Sequence, residues 1–126
     1  MAARILVIDD SENIRSILRL TLRFRGYEVE EAASGEEGLA ALARERFDLV
    51  FCDLAMPGLN GLEVIRQIRA NPLLRAMPIV VLSAEERETK TRALAEGAND
   101  VVDKPFAPER IFEILAHYLP EKAAGA

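Results

Sequence analysis

Cysteine is nearly missing from this sequence of 126 residues, which contains only Cys52. A lone thiol excludes an internal disulfide or a cysteine metal site, and within an apolar run we expect it to be a buried packing residue. Long hydrophobic runs are also missing. The longest, residues 39–43, is far shorter than the roughly 20 residues that span a bilayer, and the start "MAARILVIDD" turns acidic where a signal peptide stays hydrophobic. These absences predict a cytoplasmic protein without a membrane segment.

Basic charge is not in excess. The chain has 16 Lys and Arg against 21 Asp and Glu, a net charge of −5, and no basic cluster interleaved with aromatic residues. Direct nucleic-acid binding is therefore not expected. A chain of this length, half of it hydrophobic, fits one compact domain. We predict that this domain covers residues 1–120 and that a short tail covers residues 121–126.

Short β-branched runs alternate with segments of helical spacing along the chain. The five runs begin at Arg4, Tyr27, Asp48, Pro78 and Asp100. Such alternation predicts an α/β fold with a parallel sheet covered by helices on both faces. The second run, "YEVEEA", alternates polar with apolar residues and indicates an edge strand, whereas the other four runs predict strands buried on both faces. We therefore expect a doubly wound, flavodoxin-like sheet of five strands in the order 2-1-3-4-5 with five helices.

Two further patterns predict helix starts and the core. Capping-box spacing places helix starts at Ser34 with Glu37, Asn60 with Glu63 and Ser83 with Glu86. A helical stripe in the first helix predicts that Ile14, Ile17 and Leu18 face the core.

Polar side chains follow four of the predicted strands. Asp9 and Asp10 come after the first, Asp53 after the third, Ser83 after the fourth and Lys104 just past the fifth. Parallel strands have their carboxyl ends at one edge of the sheet, where ligands bind in folds of this kind. The sequence therefore predicts that three carboxylates, a hydroxyl and an ammonium group meet in one small pocket.

Three carboxylates close together need compensating charge, because like charges raise one another's pKa. Lys104 supplies one positive charge, and a divalent cation satisfies the remainder. Oxygen ligands without nearby His or Cys favour magnesium, Mg²⁺, over zinc. A hard cation beside a carboxylate, a lysine and a hydroxyl is typical of phosphoryl transfer, with Asp53 as the candidate nucleophile.

The motifs "VIDDSENIR", "FCDLAMPGLNGLEVI", "VVLSA" and "DVVDKPF" together resemble the receiver domain of two-component response regulators. The resemblance covers residues 4–119 and is to the single-domain, chemotaxis-regulator-like type. It implies that Asp53 accepts a phosphoryl group from a sensor histidine kinase or a phosphotransfer protein. It also implies that Asp10, Asp53 and the backbone carbonyl of Ala55 bind Mg²⁺, with Asp9 acting partly through water.

The same resemblance implies roles for the other two strand ends. Ser83 and Lys104 are expected to bind phosphoryl oxygens, and the Lys104–Pro105 bond is expected to be cis, a form open to X-Pro pairs. The protein would then be a signalling switch rather than an enzyme acting on other substrates. Phosphorylation would change its surface for a downstream protein target, in a monomer or a phosphorylation-dependent dimer.

Simpler interpretations of the same residues remain open. Asp9 and Asp10 could cap a helix, Ser83 could do the same, and Lys104 could be a surface lysine at a turn.

Other functional classes fit the sequence less well. A haloacid-dehalogenase phosphatase needs a second aspartate two residues after Asp53, where this chain has Ala55. A flavodoxin needs a phosphate-binding loop richer in Gly, Ser or Thr than "DDSENI", and nucleotide hydrolysis needs a P-loop. The strongest alternative is a receiver-like docking module that works without phosphorylation.

Overall fold

Strands and helices alternate along the chain in the predicted order. The computed structural model describes residues 2–120, and the predicted tail at 121–126 lies outside them. The elements are β1 (Arg4–Ile8), α1 (Glu12–Phe24), β2 (Glu28–Ala32), α2 (Gly35–Arg44), β3 (Leu49–Asp53), α3 (Gly61–Ala70), β4 (Ile79–Ser83), α4 (Arg87–Glu96), β5 (Asp100–Asp103) and α5 (Pro108–Tyr118). None of the helices within residues 2–120 has the length and apolar character needed to cross a membrane.

The strands form one parallel sheet in the order β2-β1-β3-β4-β5. This order confirms the predicted doubly wound fold. The domain boundary at residue 120 stays a prediction.

The central strand β3 is covered on both faces. Val50 and Cys52 belong to the apolar cluster that includes residues of α2 and α3, and Leu49 and Phe51 belong to the cluster that includes residues of α1 and α5. Cys52 is fully buried, as expected, and burial raises the pKa of its thiol. A strand without solvent on either face thus carries Asp53 to the carboxyl edge of the sheet.

Strand β5 is less buried than predicted. Asp100 and Val101 are half-buried and Asp103 is exposed, whereas every residue of β3 and β4 is buried. The prediction of burial on both faces is therefore wrong for β5. The physical reason is its position, since β5 is an edge strand with a neighbour on one side only. The helix before it, α4, buries only Ala93.

The core-facing stripe of α1 is narrower than predicted. Leu18 and Leu22 are fully buried and Ile14 packs against the same cluster, but Ile17 is 49% exposed. The prediction for Ile17 is wrong because adjacent helical residues are separated by about 100° around the axis. With Leu18 directed at the sheet, Ile17 lies on the outer side of the helix.

At two of the three predicted capping boxes the cap side chain accepts the expected amide hydrogen. The Ser34 hydroxyl accepts the amide hydrogen of Glu37 at 3.1 Å, and the Asn60 side chain accepts that of Glu63 at 3.1 Å. The first box starts α2, which packs beside β1. The second starts α3 directly after the loop that follows Asp53, so it fixes the end of that loop.

Candidate functional site

Four strands end in or next to a polar residue at the carboxyl edge of the sheet, as predicted. Asp9 follows β1, Asp53 ends β3, Ser83 ends β4 and Lys104 follows β5. Lys104 Nζ lies 2.9 Å from Asp9 Oδ2 and 3.3 Å from Asp53 Oδ1. The Lys104 amide donates to the Ser83 carbonyl at 2.9 Å, which places these two residues side by side. Lys104 is therefore not a surface lysine at a turn.

Asp9 is a fully buried carboxylate. Its Oδ1 accepts the amide hydrogen of Ser11 at 2.8 Å. Its Oδ2 is buried and receives no well-directed hydrogen bond from residues 2–120. The ammonium of Lys104, 2.9 Å away, compensates its negative charge. The cap of α1 is Ser11, whose hydroxyl accepts from the amide of Ile14. The interpretation of Asp9 and Asp10 as the helix cap is therefore wrong.

Burial and neighbouring charge perturb the titration of Asp53. Its pKa is raised from the ordinary value of 3.8 to about 6, chiefly by burial and then by the charge of Asp9, while Lys104 and the Ala55 amide lower it. Burial lowers the pKa of Lys104, but its contact with Asp9 and the charge of Asp53 outweigh this effect, so that pKa is raised. At pH 7 Asp53 is therefore mostly ionised, and the raised pKa of Lys104 keeps its ammonium charged.

Asp9, Asp10 and Asp53 together form an all-oxygen donor set that fits a hard cation. One carboxylate oxygen from each residue lies within 4.8 Å of the others. Oxygens this close could hold one hard cation, directly or through its water ligands, after small side-chain adjustments. Asp10 is exposed, which leaves that side of the group open to the water ligands that Mg²⁺ retains.

Ser83 is buried at the end of β4 and does not cap the following helix. The predicted capping box with Glu86 is wrong, because α4 begins later, at Arg87, and its cap residue Glu86 makes no side-chain cap hydrogen bond. The Ser83 hydroxyl oxygen instead accepts the amide hydrogen of Glu85 at 2.8 Å. Its own proton stays available to donate to a ligand.

The loop between β3 and α3 approaches Asp53 closely. The amide of Ala55 donates to Asp53 Oδ1 at 3.4 Å. A Cβ on Gly61 would press on the Asp53 carbonyl oxygen and come within 2.7 Å of Leu54 Cα. Gly58 in the same loop has a φ of +74°, a left-handed conformation that favours glycine. Glycine at position 61 therefore lets the first turn of α3 pack against the backbone of Asp53 and Leu54.

The bond between Lys104 and Pro105 is cis, as the resemblance implied.

Reasoning from the sequence missed one residue that contacts the site. The guanidinium of Arg15 donates to the backbone carbonyl of Asp9 at 2.7 Å and pairs with Glu31 at 3.3 Å. The available signal was the spacing of Arg15 and Arg19, four residues apart on α1, opposite the acidic edge strand β2.

Comparisons with a family model and with curated sequences point to the same family. A family model described as the response regulator receiver domain matches residues 5–116. The response regulator MprA of Mycolicibacterium vanbaalenii is 42% identical over 130 residues, which cover 99% of this chain and 55% of that protein. The transcriptional regulatory protein ResD of Bacillus subtilis is 38% identical over 109 residues, which cover 86% of this chain and 44% of that protein. The chain thus spans about half the length of these curated relatives.

Solved structures agree with the sequence matches. Chemotaxis protein CheY4 of Vibrio cholerae superposes with a TM-score of 0.89 at 38% identity, covering 94% of this chain and 100% of that one. The receiver domain of the sensor histidine kinase PA1611 of Pseudomonas aeruginosa, which has a magnesium ion coordinated in its active-site cleft, superposes with a TM-score of 0.88 at 29% identity. That match covers 95% of this chain and 99% of the other. This chain belongs to the receiver domain family of the response regulators of two-component signalling.

Proposed function

We propose that Asp53 accepts a phosphoryl group from a phosphohistidine of a sensor histidine kinase or a phosphotransfer protein. The observation that carries this proposal is the position of the Asp53 carboxylate, buried at a strand end and 3.3 Å from the Lys104 ammonium. Burial strips the carboxylate of most of its water, and Lys104 helps to keep it ionised near neutral pH. An ionised, poorly hydrated carboxylate is a competent nucleophile.

The reaction forms one bond and breaks one. An Asp53 oxygen attacks the phosphorus atom, and the P–N bond to the donor imidazole breaks as the P–O bond of the acyl phosphate forms. The imidazole nitrogen keeps the electron pair and takes up a proton from water. Lys104, whose Nζ lies 3.3 Å from Asp53 Oδ1, would bind an oxygen of the transferred group, and the Ser83 hydroxyl would donate to another.

The carboxylates of Asp9, Asp10 and Asp53 would hold Mg²⁺ together with the backbone carbonyl of Ala55, and Asp9 would act partly through water. Bound Mg²⁺ supplies positive charge that offsets the charge of the transferred phosphoryl group. The donor set supports this proposal because all its atoms are oxygens and Asp10 faces solvent.

Phosphorylation of Asp53 would change the protein surface by moving the loops that follow the strand ends. The modification adds about −1.5 to −2 charges and three acceptor oxygens. Lys104 would exchange part of its contact with Asp9 and Asp53 for the phosphoryl group. Because the Lys104 amide is bonded to the Ser83 carbonyl, the loops after β4 and β5 would move together. A downstream protein target would bind the altered surface formed by these loops and the helices beside them.

Other parts of the proposal concern the setting of the protein. We place it in the cytoplasm, as a switch rather than an enzyme with external substrates, without direct binding to nucleic acid or membrane. The net charge of −5 supports the part of this assignment that concerns nucleic acid. The single-domain type stays a prediction, as does a monomer or phosphorylation-dependent dimer.

The test is to incubate the protein with acetyl phosphate and measure its intact mass, with Mg²⁺ or with chelator. We expect a gain of one phosphoryl group that requires Mg²⁺ and disappears in Asp53→Asn. Asp103→Asn is the matched control, because Asp103 is an exposed carboxylate at the end of β5. No gain in the wild-type protein, with Mg²⁺ binding demonstrated separately, would overturn the proposal and favour the phosphorylation-independent docking module.

A further inference from the structure

Arg15 on α1 connects the metal-site carboxylates to the edge of the sheet. Its guanidinium donates to the backbone carbonyl of Asp9 at 2.7 Å, and its Nε lies 3.3 Å from Glu31 Oε1 on β2. The Arg15 side chain is 15% exposed, so these contacts are partly shielded from water. Hydrogen bonds from a charged donor are among the stronger ones in proteins, so the bond from Arg15 should restrain the Asp9 carbonyl effectively.

Glu31 is itself held from a second side. Its Oε2 pairs with the guanidinium of Arg19 at 2.6 Å, one helical turn beyond Arg15. The two arginines therefore bind the two oxygens of one carboxylate, which fixes the position of Glu31 against α1. Glu31 in turn restrains the guanidinium of Arg15, which donates to the carbonyl of Asp9.

The contact falls on the peptide unit that joins the two acidic residues. The Asp9 amide donates to the Ala32 carbonyl at 3.1 Å, so the chain is held before Asp9 by β2 and after it by Arg15. A peptide unit is planar, so holding its carbonyl oxygen also fixes the direction in which the chain enters Asp10. Asp10 is exposed, and its direction therefore depends more on its backbone than on packing.

We propose that Arg15 is a positioning residue for the Asp9 and Asp10 carboxylates, and that Glu31 acts by holding Arg15 in place. The inference rests on the proposed function, because it concerns the same Mg²⁺ site. The Arg15 guanidinium is bonded to the backbone carbonyl of Asp9 and to Glu31. It fixes the turn from which two of the three carboxylates project.

The direction in which Mg²⁺ affinity changes when Arg15 is replaced distinguishes positioning from simple electrostatics. A positive charge near a cation site repels the cation, so electrostatics alone predicts that removing Arg15 strengthens Mg²⁺ binding. Positioning predicts the opposite, because a turn free to reorient must be ordered again each time the metal binds. Loss of residues that orient metal ligands typically weakens metal affinity 10- to 100-fold.

The experiment measures the dissociation constant for Mg²⁺ by NMR titration of backbone amides at pH 7.5, with urea unfolding of the metal-free proteins alongside. Arg15→Met keeps the aliphatic stem and removes the donors, and we expect about tenfold weaker binding. Arg23→Met is the matched control on the exposed side of α1, with an expected change of less than twofold. Arg15→Lys keeps the charge without the two-sided contact, and we expect an intermediate loss.

A double-substitution cycle tests the role of Glu31. If Glu31 acts through Arg15, the Arg15→Met, Glu31→Gln protein should bind Mg²⁺ no more weakly than Arg15→Met alone. Unchanged or tighter binding by Arg15→Met would overturn the inference, as would full affinity in Arg15→Lys if Arg15→Met does not fold. Failure of the wild-type protein to bind Mg²⁺ or gain a phosphoryl group would instead refute the proposed function, so the two failures are distinguishable.

Discussion

Replacing Asp53 with asparagine should stabilise the metal-free protein at neutral pH. The Asp53 carboxylate is buried beside the equally buried Asp9, and its pKa is raised from 3.8 to about 6. The folded protein therefore favours the neutral form of this side chain relative to the unfolded chain. Asparagine has nearly the same shape as the protonated acid and carries no charge, so Asp53→Asn removes the cost of ionisation.

The magnitude follows from the pKa shift. Raising the pKa of Asp53 from 3.8 to about 6 corresponds to about 3 kcal/mol between the two protonation states. Local relaxation and water entry reduce this value, so we expect the free energy of unfolding of Asp53→Asn to exceed that of the wild type by about 1–3 kcal/mol at pH 7.5.

The pH dependence has a definite sign. Between pH 3.8 and about 6 the folded state holds a proton on Asp53 that the unfolded state has released. The contribution of this group to stability is therefore present at low pH and is lost as pH rises through that window. The advantage of Asp53→Asn should be small near pH 4.5, grow with pH and level off above about pH 6.5.

The assay is urea unfolding at several pH values with chelator present, followed by circular dichroism because the chain has no tryptophan. Adding Mg²⁺ should stabilise the wild type more than Asp53→Asn and narrow the difference. A variant no more stable than the wild type at pH 7.5, or a difference that does not change between pH 4.5 and 6.5, would refute the reasoning.

Three other substitutions test the packing beside Asp53 and along α1. Gly61→Ala should lower the free energy of unfolding by about 1–3 kcal/mol and weaken Mg²⁺ binding, because the added Cβ would press on the Asp53 carbonyl and the backbone of Leu54. Urea unfolding and a Mg²⁺ titration measure the two effects, and values equal to those of the wild type would contradict the prediction. Leu18→Ala should lower the free energy of unfolding by about 2–5 kcal/mol, because Leu18 is fully buried. Ile17→Ala should lower it by less than about 1 kcal/mol, because Ile17 is 49% exposed. Equal losses in the same unfolding assay would show that both side chains pack in the core.

The fold and most of the polar cluster at the strand ends could be predicted because both depend on short-range patterns. Continuous apolar runs that end in a polar residue identify β1, β3 and β4, and a parallel sheet must place those ends at one edge. Asp53 and Lys104 are 51 positions apart in the sequence, yet their proximity follows from the sheet alone.

Boundaries and partners outside the sheet were less predictable. Ser83 has the spacing of a capping box with Glu86, but α4 starts after Glu86, so the hydroxyl oxygen accepts from Glu85 instead. Ile17 belongs to an apolar stripe, but the rotation of α1 against the sheet decides which side of the stripe is covered. Both outcomes depend on how loops and helices pack, which local spacing does not specify.

The sequence by itself determined the alternating elements, the parallel sheet and the meeting of Asp9, Asp53 and Lys104, because each follows from hydrophobic periodicity and strand direction. Only the tertiary structure decided that Arg15 binds the carbonyl of Asp9 and pairs with Glu31. A contact between a helix side chain and a neighbouring backbone depends on the distance and rotation of that helix over the sheet. Those quantities are set by the whole core, since side chains along α1, β2 and α5 must pack together before the position of any one arginine is fixed.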